Sequence, residues 1–413
     1  MKRMYPVSAA TSYDVVVIGR GAIGAAAALG MAQSGLRVGI VGPDGGSHAD
    51  PDGQAGKVSD WDSRVFALSP ASRQLLQDLR VWDAMDQSRI APVFDMRVYP
   101  QAGPVASELH FSAYESCVDS LAQIVENRNL IDALNRAIDF AGVTKFESSL
   151  ASIDPQEKPD ALLTLEDGRQ LRAHLVIGAD GAHSQLRELL AIQADIRQYP
   201  QQAVVANFEI EKPHRDCAYQ WFGDHGIVAL LPLPGNRCSM VWSAPTQLAE
   251  TLQTLDSAAM ASRVAELSGN VLGSMSMITP QQTFALRLIQ VPQLVASRVA
   301  LIGDAAHVVH PLAGQGMNLG FGDLQTLLDV IRSREPFRDL GDPMLLRRYE
   351  RARREPVQSI KLVTDGLQRL FDSESASDWP MLAYPVQRAR DLGWRALESF
   401  PWLKRRLIAH AVS

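Results

Sequence analysis

The sequence predicts an α/β chain: a doubly wound, mainly parallel domain, a mainly antiparallel β domain set within it, and helices towards the C-terminal end. Three observations predict this. Between Asp14 and Val41 a β-branched run, a glycine turn, an alanine-rich stretch and a second apolar run follow one another. Two later apolar runs, Leu175–Ile177 and Val299–Ile302, each lead into a turn of glycine and aspartate. Between those two, Val204–Trp242 alternates strand-like runs with turn residues.

Asp14–Ile18 (DVVVI) reads as a strand buried on both faces. Gly24–Ser34 reads as a helix, with Gly35 in the helix-stop position. Leu36–Val41 reads as a second strand, and the whole makes a right-handed βαβ unit. The stretch from Tyr13 to Gly42 is apolar, but Arg20 and glycines at 19, 21, 24, 30 and 35 interrupt it, which excludes a membrane-spanning helix here. Gly42–Ser63 is rich in Gly, Asp, Ser and Pro and reads as a loop. Val125–Phe140 has helical spacing through Val125, Leu130, Leu134 and Ile138. Ala161–Leu171 reads as a hairpin turning at Asp167-Gly168. Ile227–Leu231 and Cys238–Trp242 read as strands joined through Pro234-Gly235-Asn236.

At 413 residues the chain is long enough for two or three packed domains. Its 40 basic and 46 acidic residues give a net charge of −6, which argues against a nucleic-acid partner. Cys117, Cys217 and Cys238 are scattered and form no CxxC, so reduced thiols are expected rather than a zinc site or disulfides. Met1–Ser12 lacks the pattern of a signal peptide, so a cytoplasmic location is expected.

The turn after the first strand is Gly19-Arg20-Gly21-Ala22-Ile23-Gly24, a GxGxxG. Its first glycine allows the turn, its second lets the backbone approach a pyrophosphate, and its third lets helix and strand pack closely. The helix start behind it offers free N–H groups and a positive dipole end. A dinucleotide site of Rossmann type is therefore expected. The acid that holds the adenosine ribose should end the second strand, yet Gly42 stands there, with Asp44 the nearest carboxylate. Asp44 from the loop, or backbone and water, are the open alternatives.

LVIGADGAHSQLR (175–187) and VALIGDAAHVVHPLAGQGMNL (299–319) each carry a strand into a glycine turn and then a helix start. With GRGAIG (19–24), DSRVFALSPAS (62–72), IVENRNL (124–130) and ALLPLP (229–234), they resemble the FAD-dependent aromatic hydroxylases with the para-hydroxybenzoate hydroxylase fold. Within that group the chain most resembles the ubiquinone-biosynthesis hydroxylases, over nearly its whole length. The resemblance implies that Gly19, Gly21, Ala22, Ile23 and Gly24 hold the pyrophosphate of FAD. It implies that Asp304 binds the ribityl chain and that Gly316, Met317 and Asn318 face the flavin pyrimidine edge. Arg64, Gln123 and Arg128 match positions in the cofactor cleft, and Asp180 belongs to a turn linked to both FAD and NAD(P)H. No catalytic side chain is implied, since the chemistry occurs at flavin C4a with O2; Pro311 is a backbone candidate.

Trp221, Leu231 and Leu233 are candidates to line an aromatic substrate pocket, with sheet core as the other reading. His183, His307 and His310 have no third ligand apparent, so no metal is expected and ordering of the flavin loops is the preferred role. The absence of GxSxG argues against a hydrolase, and that of a WxWxIP signature against a halogenase. PWLKRRLIAHAV (401–412) sets Trp402, Leu403, Leu407 and Ile408 against Lys404, Arg405 and Arg406. Such a helix docks on a membrane surface or a biosynthetic partner, or packs on its own domain. Packing on its own domain is the more common case, and the handling of prenylated substrates that the resemblance implies adds weight to peripheral contact at the inner membrane.

The expected organisation is a discontinuous FAD domain (1–75, 111–188 and 286–335), a substrate domain (76–110 and 189–285) and a helical region (336–413). The expected function is hydroxylation of a polyprenylphenol with O2 and NAD(P)H. A non-hydroxylating reductase of the same fold, or a flavin-bearing accessory protein, is the alternative.

Overall fold

The computed structural model describes residues 10–43, 61–99, 108–309 and 315–371. Asp44, His310, Pro311, Gly314 and the 401–412 segment lie outside the described residues.

The first sheet is built on parallel strands, in the order Val299–Leu301, Gln170–Gly178, Thr11–Ile18, Val38–Val41 and Thr144–Phe146. Antiparallel strands extend it, Ala161–Leu165 turning into Gln170–Gly178 at Gly168 (φ 85°). Helix Ala22–Gln33 is buried on nearly every side because it lies between this sheet and two other helices, Asn127–Phe140 and Gln315–Arg332. Its alanines and glycines permit that closeness: a Cβ at Gly30 would sit 2.8 Å from Leu328 Cδ1. Helix Asn127–Phe140 buries Leu130, Ala133, Leu134 and Ile138, and each large apolar side chain so buried contributes about 1.5–3 kcal/mol. Val125 does not belong to it. Ala122–Glu126 is a strand, pairing with Val65–Leu68 on one side and Ile90–Val93 on the other, and the helix begins only at Asn127.

The second sheet is antiparallel apart from one parallel pair, Cys217–Gly223 with Asp95–Tyr99. Its outer face is covered by helices Thr246–Gln253 and Ser257–Leu267, over a core that includes Phe208, Met240, Trp242, Met260 and Val264. Its inner face meets the small three-stranded sheet through Ala218, Leu233, Val93 and Ile124. Of segment 76–110, Ile90–Val93 thus pairs within the small sheet, while Asp95–Tyr99 pairs within the second. Gln282–Gln290 carries the second sheet past residue 285 and, through Gln290 opposite His307, ties it to the Gly303–His307 turn. Among the described residues, no helix is long and apolar enough to cross a membrane.

Candidate cofactor and active site

Parallel strands deliver their ends to one edge of a sheet, which is where open α/β folds bind ligands. Here three strand ends are laced by backbone hydrogen bonds: Gly19 N–H donates to Val41 O (2.7 Å), Ala179 N–H to Ile18 O (2.7 Å) and Ile302 N–H to Gly178 O (2.9 Å). The glycine turn, the Asp180-Gly181 turn and the Gly303-Asp304 turn are thereby neighbours. An added Cβ at Gly19 would meet Ala179 O at 2.2 Å, and one at Gly24 would meet Gly19 O at 2.0 Å. Gly21 has no atom within 4 Å of such a Cβ, and the helix that it caps has no side-chain cap and no acid in its first turn. Unclaimed N–H groups facing open space fit a pyrophosphate.

Ile23 packs against Gly303 and Gly320, bringing the glycine turn to the start of helix Gln315–Arg332. No described atom lies within 4 Å of a Cβ at Gly316 in that first turn, where the helix start offers backbone N–H groups to a ligand. The Asn318 side chain is otherwise engaged. It accepts from Ser69 N–H (2.9 Å) and Ser72 Oγ–H (2.8 Å) and donates to Ala67 O (2.9 Å), fixing the 67–72 connection against the helix start.

Asp304 stands out at this edge. Gly303, Ala305 and Ala306 are buried, whereas the Asp304 side chain is exposed and has no hydrogen-bond partner among the described residues. Crowding by the surrounding protein nevertheless pushes its carboxyl above the usual range, against the pull of Arg64 and His307. A bound hydroxyl would satisfy this accessible but partly desolvated carboxylate.

Asp323, fully buried in helix Gln315–Arg332, holds this turn from below. It accepts from Gly303 N–H (2.9 Å) and from Arg353 Nε–H (2.7 Å), and lies 2.8 Å from His307 Nε2. Burial alone would raise its carboxyl; His307, Arg353 and the Gly303 N–H outweigh that and hold it below the ordinary value. Arg187, also buried, donates to Ala305 O (2.9 Å) and Ala182 O (2.9 Å), clamping the two aspartate turns together. Asp180 accepts from Leu186 N–H (3.0 Å) through Oδ2, while Oδ1 is buried with no partner among the described residues.

Asp62 positions the two arginines expected in the cleft. Its Oδ1 accepts from Arg64 N–H (3.0 Å), its Oδ2 from Arg128 N–H (3.0 Å), and its carbonyl from Asn207 Nδ2 (2.8 Å) on the second sheet. Arg64 and Arg128 are both exposed, and Arg64 stacks over Phe66 at 5.4 Å. Gln123 is buried and donates to Ser120 Oγ (3.1 Å).

The three candidate pocket residues do not share a surface. Side chains alternate across a strand, and Trp221 falls opposite Val228 on the outer face, stacked on Tyr99 (5.4 Å) and Tyr219 (5.9 Å) under the covering helices. Trp221 is sheet core. Leu231 and Leu233 lie on the inner face; Leu233 is fully buried where the sheets meet and Leu231 is half-buried. Among the described residues no group of three or more His, Cys, Asp and Glu could hold a metal ion.

Asp62, Arg187 and Asp323 carry much of this geometry and were not singled out above. Asp62 and Arg187 lie inside quoted motifs; Asp323 is an acid amid the apolar spacing of Leu319, Leu324, Leu327 and Leu328.

A family profile described as an FAD binding domain matches residues 12–362. The ubiquinone hydroxylase UbiL of Rhodospirillum rubrum is 34% identical over 401 residues, spanning 97% of this chain and 89% of that protein. The 3-demethoxyubiquinol 3-hydroxylase of Escherichia coli is 32% identical over 406 residues, spanning 97% of this chain and 98% of its own length. Among solved structures, PqsL of Pseudomonas aeruginosa in complex with 2-aminobenzoylacetate superposes with a TM-score of 0.72 at 24% identity, covering 87% of this chain and 97% of that one; this likeness shows a shared fold.

Proposed function

The chain belongs to the FAD binding domain family and is an FAD-dependent monooxygenase related to the ubiquinone hydroxylases; from that premise we propose that it hydroxylates the ring of a polyprenylphenol in ubiquinone biosynthesis. NAD(P)H is the proposed electron donor and O2 the oxygen source. The observation that supports the reading is the meeting of three strand-end turns, one of which carries the exposed carboxylate of Asp304.

FAD, when bound, supplies the redox chemistry that links the donor, dioxygen and the ring. The chain's part is to bind and orient. The N–H groups after Gly21 take the pyrophosphate, and Asp304 accepts from a ribityl hydroxyl. The first turn of Gln315–Arg332 presents backbone N–H groups and a positive dipole end to the flavin, stabilising negative charge there. Asn318 keeps that turn in place through residues 67–72. Leu231, on the inner face of the second sheet, offers apolar surface for a ring and helps to exclude water. Segment 401–412, with its apolar and basic sides, is the proposed contact with the membrane from which a prenylated substrate is drawn.

A strain lacking this protein is expected to accumulate a prenylated phenol one hydroxyl short of the next quinone precursor, with normal levels restored by the wild-type gene. An unchanged quinone and precursor profile would overturn the assignment of substrate.

A further inference from the structure

Gly42 ends the second strand without a carboxylate, and the space beside it is taken. An added Cβ there would lie 3.3 Å from both Arg20 Cγ and the Arg20 backbone nitrogen. Arg20 is the second residue of the glycine turn, and its side chain is buried over Gly42. The neighbouring strand, Thr144–Phe146, runs parallel to the second, with Val41 opposite Phe146 and the Gly42 N–H donating to Phe146 O (3.1 Å). Glu147 follows at once. Its Oε1 lies 3.7 Å from Arg20 Nη1, and its side chain remains 68% accessible. Neighbouring strands are about 4.8 Å apart, within the span of a glutamate side chain, so Glu147 reaches the strand end where an acid at 42 would otherwise act.

We propose that Glu147 is the carboxylate that accepts hydrogen bonds from the adenosine ribose of FAD, and that Arg20 is the residue that positions it. The proposal rests on the FAD reading of the glycine turn. It takes the ribose role away from the loop acid Asp44 and gives it to the adjacent strand.

The sign of a charge change separates this role from mere proximity. FAD carries a negatively charged pyrophosphate, so a bystander carboxylate nearby repels it, and neutralising that carboxylate would tighten binding. A ribose acceptor does the opposite. The apoprotein would be titrated with FAD and with riboflavin, which lacks the whole ADP portion, by following flavin fluorescence. Glu147→Gln and Glu147→Lys are expected to weaken FAD binding at least about 10-fold and to leave riboflavin binding unchanged. FAD affinity equal to or above wild type in Glu147→Gln overturns the proposal, as does an equal loss for both ligands. A loss in Asp44→Asn with none in Glu147→Gln returns the role to the loop. Wild type that binds no FAD sinks the FAD reading instead, a result distinct from all of these.

Discussion

Asp323→Ala is expected to destabilise the protein by about 3–5 kcal/mol, the usual consequence of leaving buried charged partners uncompensated. Arg353 and His307 are both buried and both directed at this carboxylate, and the Gly303 N–H loses its acceptor in the same step. Replacing the side chain by methyl also leaves a small void between helix Gln315–Arg332 and the turn. Chemical denaturation of the apoprotein would read the change directly. The acid limb of the stability curve provides a second check. Because the folded carboxyl is held below its ordinary value, its contribution is present above about pH 4 and fades as the pH falls through the lower folded value. The variant should lose that part of the acid dependence. Wild-type stability in Asp323→Ala would show that the pair does not hold the turn.

Asp304→Ala is expected to weaken FAD binding about 10- to 150-fold, the equivalent of losing one charge-assisted hydrogen bond of about 1.5–3 kcal/mol. The fold should survive. The side chain is exposed, and among the described residues nothing is hydrogen-bonded to it. The effect on the apoprotein should even have the opposite sign. The Asp304 carboxyl is pushed up by its surroundings, so the ionised form is disfavoured in the folded state at neutral pH. Its removal should leave the apoprotein as stable as wild type or slightly more so, while FAD affinity falls. Equal FAD affinity in a titration would assign Asp304 to structure and move the ribityl contact elsewhere.

The two outcomes together would separate support from contact, assigning the turn's support to Asp323 and the proposed ligand contact to Asp304. Only the second was legible in the sequence. Gly303-Asp304 is announced locally by the buried run before it and the glycines after it. Asp323 acquires its meaning from Gly303, His307 and Arg353, 20 residues before it, 16 before it and 30 after it. No spacing rule connects those positions. The same holds for Arg187, whose two carbonyl partners belong to different turns.

The βαβ unit was readable because its signals are short-range: a β-branched run, glycines where a side chain would collide, then small residues where helices close in. The middle sheet was readable as strands but not as faces. Which side Trp221 occupies depends on the hairpin that sets it opposite Val228, and register is fixed only when the strands pair. At Val125 the helical spacing ran two residues into what is a strand, because an apolar run buried on both faces satisfies either period. The missing acid at Gly42 was visible as a gap. Its replacement was not, since Glu147 comes alongside only through the pairing of Val38–Val41 with Thr144–Phe146.

Incorporation of isotopically labelled dioxygen tests the central claim most directly. Purified protein reconstituted with FAD would be given NAD(P)H, a prenylated phenol and 18O2, and the product would be analysed by mass spectrometry. Hydroxylated product carrying one 18O atom, formed only with FAD present and lost in Asp304→Ala at limiting FAD, is the predicted result. NAD(P)H oxidation without labelled hydroxyl, or product whose oxygen comes from water, would contradict it.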